Sequence, residues 1–247
     1  MGLFDLFKGG ARSDKSRPKG SAAAKWADRL ERRAQNYDRQ EAIHALAEMG
    51  TADAARLLLK RFTFHIDPSI TDQEEKDAAF RGILRAGKAA IEPVRAFAAK
   101  AESLAWPMKI MHELVDETEY VEELLSWLGL WDTEYAKFVE PKVQILAELE
   151  EHKHEHIRGG VERFLDDVNE PARFHAVAAL LAQDDPAATP ALAQTLNHEE
   201  SVRVRQKVIE GLAARGWPLP EAEREAGRKA LPAGFSMDGS GRIVARR

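Results

Sequence analysis

A doublet of short helical stretches recurs along most of this 247-residue chain, broken each time by a small or polar residue. Glu41–Gly50 reads EAIHALAEMG and runs on into Ala52–Phe62; Ala78–Gly87 reads AAFRGILRAG and is followed by Ala89–Ala101. The same plan continues through Pro107–Asp116 with Tyr120–Leu128, Val143–His152 with Ile157–Leu165, Ala172–Asp184 with Thr189–Leu196, and Val202–Gly216 with Glu221–Leu231. With the breaks at Gly50, Gly87, Asp116, His152, Asp184 and Gly216, the spacings are 37, 29, 36, 32 and 32 residues. A period of that size is one helical hairpin plus its connection. Such a hairpin cannot bury its apolar stripe alone, whereas several stacked side by side share a continuous core.

Residue types within the doublets support helices. Ile43, Leu46, Ala47 and Met49 lie largely on one side of a helix, as do Val143, Leu146, Ala147 and Leu149. The chain holds 40 Ala and 24 Leu against 29 Val, Ile and Thr together, a balance that favours helix over sheet. Small residues such as Ala178, Ala179 and Ala182 let neighbouring helices approach closely. Gly50, Gly87 and Gly216 suit the left-handed position that ends a helix. Ser21, Asp53, Thr71 and Ser201 are expected N-caps, and Pro93, Pro107, Pro141, Pro171 and Pro190 fall near expected helix starts. Trp26, Leu30 and Ala34, four apart, predict an additional helix over residues 22–34 that covers the first repeat. Near the end, Phe235–Met237 and Arg242–Val244 flank Asp238-Gly239-Ser240-Gly241, the pattern of a short hairpin.

The repeated segments EAIHALAEMG and AAFRGILRAG resemble the HEAT-repeat superfamily, most of all the short bacterial repeats of phycobilin-lyase type. The likeness covers roughly residues 35–231 in degenerate form, with Asp116 and His152 standing where glycine is usual. It implies an all-α protein, an α-solenoid of about six HEAT-like helical hairpins over residues 21–231. A flexible basic tail with an apolar tip (1–20) precedes it and a C-terminal tail (232–247) follows it. In such stacks the second helices usually line the concave side. Glu119, Glu122 and Glu123 would then face inward beside Arg56, Lys60 and Arg95.

Charge narrows the function. The 36 Lys+Arg and 41 Asp+Glu leave a net −5, but residues 35–199 alone carry −14, with +5 before them and +4 after. An acidic body argues against a nucleic-acid partner, whose phosphates ask for the opposite sign. The absence of cysteine excludes thiol catalysis and disulfides. No apolar run is long enough to span a membrane and no export signal is evident, so the expected location is the cytoplasm of a bacterium. Leu3, Phe4, Leu6 and Phe7, followed by basic residues, could dock a partner or touch an anionic membrane weakly.

The most distinctive local feature is Ile110–Ala136, which has no Lys or Arg and a charge of −8. It also carries Tyr120, Trp127, Trp131 and Tyr135, and Trp127 and Trp131 would share a face if the helix continued through Gly129. Aromatic anchors with an acidic rim suit a protein-binding surface. The expected function is therefore a non-catalytic scaffold that takes a basic or amphipathic segment of another protein through Glu119, Glu122, Glu123, Tyr120, Trp127, Trp131 and Tyr135. The competing reading of the tryptophans is plain core. No catalytic motif is present, so no enzyme activity is expected. No cofactor is expected either. His152 and His156, at i,i+4 if helical, are the weak candidates for a metal pair. The resemblance supplies two alternatives: a tetrapyrrole lyase or chaperone, and a metal-dependent hydroxylase using His112-Glu113, His154-Glu155 and His198-Glu199. In the second of these the pairs occupy unequal repeat positions, which loses the symmetry such a site needs.

Overall fold

A computed structural model describes residues 21–246. The tail residues Leu3, Phe4, Leu6 and Phe7 lie outside the described residues. The protein is all-α. Among the described residues twelve α-helices follow the doublets, α3 starting nine residues ahead of the expected Ala78: α1 (Asn36–Met49) and α2 (Ala52–Leu58), α3 (Ser69–Arg85) and α4 (Ile91–Ala98), α5 (Ala105–Leu114) and α6 (Glu117–Leu128), α7 (Glu140–Glu148) and α8 (Ile157–Val161), α9 (Glu170–Ala182) and α10 (Thr189–His198), α11 (Val202–Arg215) and α12 (Arg224–Ala230). Several second helices continue or begin as tighter 3₁₀ turns, at Leu59–Thr63 after α2, Glu162–Asp166 after α8 and Glu221–Glu223 before α12. No helix among the described residues is long and apolar enough to cross a membrane.

The breaks have a common geometry. Gly50, Gly87 and Gly216 take left-handed conformations with φ of 54°, 55° and 61°, and Asp184 does the same at 57° in place of glycine. At Asp116 and His152 the chain instead turns extended. Asp116 there becomes an N-cap, its side chain accepting from the Glu119 N–H at 2.9 Å. Ser201 caps α11 as expected. Asp53 and Thr71 do not cap: the cap of α2 is Thr51, and Thr71 sits inside α3, whose start is set by Pro68. Ser21 accepts the Ala24 N–H through its carbonyl and not its side chain. The expected helix at 22–34 is a 3₁₀ segment, Ala24–Leu30, which buries Leu30 against α1.

Packing runs mainly between alternate helices. Within their pairs α1 contacts α2 and α5 contacts α6; α1 packs on α3, α3 on α5, α7 on α9 and α9 on α11, and α2 packs on α4, α6 on α8 and α10 on α12. At the start of α5 the Leu104 N–H donates to Gln144 Oε1 of α7 at 2.6 Å. One apolar cluster runs from Leu30 through Ile43, Ile83, Ile110, Ile145 and Val177 to Leu212 and Ile243. The C-terminal hairpin forms as expected, β1 (Phe235–Met237) pairing antiparallel with β2 (Ile243–Ala245) around an Asp238 carboxylate that accepts the Ser240 and Arg242 N–H groups. An isolated hairpin is marginal; this one buries Ile243 and packs on α11.

Candidate functional site

Helix α6 carries most of the expected binding residues, and its own periodicity sorts them. Tyr120, Val121, Leu124, Trp127 and Leu128 form a single stripe that turns to the core. Tyr120 is 1% exposed and Trp127 5%, so neither can anchor a partner. Burial and the Glu148 carboxylate, which accepts the Tyr120 hydroxyl at 3.0 Å, together push the phenol pKa well up. The helix also stops at Leu128: Gly129 donates to the Leu125 carbonyl, and Leu130 and Trp131 continue only as a turn bonded to the Trp127 and Leu128 carbonyls. Trp127 and Trp131 therefore share no helix face; Trp131 is half-buried against the core.

The acids separate as well. Glu123 is drawn into a bidentate pair with Arg95 of α4, the cation that sequence had set beside it, while Arg56 pairs with Asp53 on its own helix. Glu119 remains exposed at the start of α6. At 1.5 Å per residue it lies about 14 Å along the axis from Leu128, at the opposite end of α6 from the loop that carries Tyr135.

What lies beyond Leu128 is a loop, residues 129–139, of unusual character. Leu130 is 67% exposed, Tyr135 82% and Phe138 41%, and Val168, also exposed, joins them through its N–H bond to the Thr133 carbonyl. The first half of the loop is pinned from beneath. Arg163 donates to the Trp131 carbonyl at 2.6 Å and the Leu128 carbonyl at 3.2 Å, and Lys142, wholly buried, donates to the Asp132 carbonyl at 3.1 Å. Lys142 also meets Asp167 at 2.5 Å with both side chains inaccessible, so its charge is matched where it is held. Asp132 and Glu134 stand on the same loop and are exposed.

A second constellation sits against α6 from the side of the α7–α8 connection. Gly160 permits the approach: a Cβ there would stand 2.7 Å from Leu125 Cδ2. His152 to His156 are not helical, so the expected i,i+4 pairing of His152 with His156 does not occur. The two rings go to different carboxylates. His152, buried, meets Glu117 Oε1 at 2.5 Å and lies 5.4 Å from Tyr120 and 6.4 Å from His112, ring to ring. His156 Nδ1 meets Glu122 Oε1 at 2.6 Å, with His154 Nε2 at 3.6 Å from the same oxygen and the two imidazoles 5.0 Å apart. The hydrogen bond and charge of Glu122 raise the His156 pKa above its ordinary 6.5. Gln183, the residue that closes the C-terminal end of α9, fixes the turn, accepting the His154 N–H at 3.1 Å and donating to the His152 carbonyl at 2.9 Å. The sequence sets His154 beside Glu155 and not with Glu122, which is 32 residues away and meets it only through the α6–α8 packing. His198, at the end of α10, turns back to the Gln194 carbonyl, so the three His-Glu doublets do not meet.

No protein-family model matches the chain, and no curated protein matches it.

Proposed function

We propose that the twelve helices make a HEAT-like α-solenoid and that the protein is a non-catalytic scaffold binding another protein through the α6–α7 loop. The packing supports the first part: alternate helices contact one another along α1–α3–α5 and α7–α9–α11, and α2 meets α4, α6 meets α8 and α10 meets α12, as expected when each hairpin meets its neighbours. The observation that carries the second is the loop itself. Three large apolar side chains stand 41–82% exposed on a segment whose backbone is held by the buried Lys142 and by Arg163. Exposing such groups is unfavourable in a free monomer, and pinning their backbone beforehand reduces the ordering cost of binding. Tyr135 and Phe138 then act as anchors, Leu130, Trp131 and Val168 widen the apolar area, and Asp132 and Glu134 supply an acidic rim. That rim selects a partner segment that is basic or amphipathic, and its charge speeds encounter more than it deepens affinity. Glu119, on the far end of α6, contributes only to this steering.

A photo-crosslinking amino acid at Tyr135 tests the reading in cells. The expected result is capture of one protein through a basic, amphipathic segment, abolished by Leu130→Asp with Phe138→Asp while the helical circular dichroism is unchanged. Equal capture from the same probe at Glu210, on α11, or full capture by the double variant, would refute it.

A further inference from the structure

The turn that carries His154 and His156 has properties the scaffold reading does not use. Its two imidazoles and the Glu122 carboxylate come from two elements, and one ligand atom from each falls within 4.8 Å of the other two. Zinc bonds of about 2.0–2.2 Å place the ligand atoms of a tetrahedron about 3.3–3.5 Å apart. The observed separations from Glu122 Oε1, 2.6 Å to His156 Nδ1 and 3.6 Å to His154 Nε2, straddle that edge, so sub-ångström to ångström movements would close the site. The supports are already in place. Gln183 holds the backbone of the turn from the end of α9, and the close seat of Gly160 against Leu125 fixes its distance from α6. His154 is 15% exposed and therefore held, whereas Glu122 and His156, at 47% and 61%, leave an open approach for an ion and its remaining waters.

We propose that Glu122, His154 and His156 form a binding site for a borderline divalent transition metal, zinc in the first instance, which clips α6 to the turn before α8. Two imidazoles and one carboxylate match that class and not calcium or magnesium, which ask for oxygen ligands alone. The His156 N–H donates to His154 Nδ1 at 3.3 Å. Coordination through Nε2 needs the ring hydrogen on Nδ1, so this long bond is exchanged for the metal bond. The neighbouring group of His112, Glu117 and His152 is not the site, since its rings are set 6.4 Å apart around a buried tyrosine.

Titration of the full chain with zinc chloride by calorimetry tests this. About one equivalent is expected to bind, with a rise in Tm, as for any ligand specific to the folded state. Glu122→Gln, His154→Gln and His156→Gln should each weaken binding at least about tenfold, the loss typical when a metal site is damaged. Glu122 and His156 are surface groups, so those two variants should keep the wild-type circular dichroism. The double variant His112→Gln with His152→Gln should bind as wild type. Wild-type zinc affinity in the His154→Gln, His156→Gln double variant, or loss of binding only in the His112, His152 variant, would overturn the assignment.

Discussion

Between α1 and α3, Arg39 and Arg61 both close on Glu75, with all three side chains no more than 1% exposed, whereas between α6 and α8 Glu122 meets His156 at 47% and 61% exposure. The first arrangement is dense: Arg39 reaches both Glu75 oxygens at 2.7 and 2.9 Å, Arg61 reaches Glu75 at 2.6 Å and Asp72 at 2.7 Å, and Lys76 meets Asp72 at 2.6 Å. Buried there, each charge survives only because its partner is fixed, and little of the network is open to anything else. The second arrangement is half in water, where the pairing adds little stability and the groups stay available. Like chemistry therefore sits in different settings: around α1 and α3 it is buried and fully paired, and near α6 it stays exposed. The α6–α7 loop lies between these extremes, with a buried cation beneath and exposed aromatics above.

The contrast can be broken most sharply at Glu75. Glu75→Ala leaves two buried guanidinium groups facing each other and should cost about 3–5 kcal/mol in urea unfolding, the loss typical of breaking a buried pair. Acid should separate the regions next. Burial alone would raise the Asp72 pKa, but the Lys76 and Arg61 hydrogen bonds outweigh it and hold it well below the ordinary 3.8. Its stabilisation is complete above that ordinary value and drains away as pH falls through it toward the lower folded pKa. The denaturation midpoint of wild type should thus drop below about pH 4, and Asp72→Asn should start lower and flatten that decline. The smallest effect belongs to the exposed cluster. Glu122→Gln should change stability by less than about 1 kcal/mol, while bringing the NMR titration midpoint of the His156 imidazole down toward 6.5. A stability loss at Glu122 as large as that at Glu75 would erase the distinction.

Local pattern carried most of the fold. Apolar spacing, alanine content and the small residues at the breaks place the twelve helices, and the left-handed turns at Gly50, Gly87 and Gly216 follow from the one residue type that bears them at no cost. Asp184 shows that the position outlasts the glycine. Errors arose where the neighbour decides. Residues 22–34 have helical spacing, yet only a 3₁₀ segment forms over Ala24–Leu30, because so short a piece takes its shape from what it covers. Tyr120 and Trp127 read equally well as anchors or as core, and only the packing of α6 on α7 and α8 settles them as core.

From its order of residues alone this protein was bound to be a run of helical pairs with an acidic middle and a closing hairpin, since helix spacing, caps and turns act over a few neighbouring residues. Tertiary structure alone decided which aromatic groups reach water, which carboxylate each histidine meets, and that a buried lysine props up the α6–α7 loop. Those outcomes depend on contacts between residues some ten to thirty-five positions apart, and no local propensity encodes where two helices will cross.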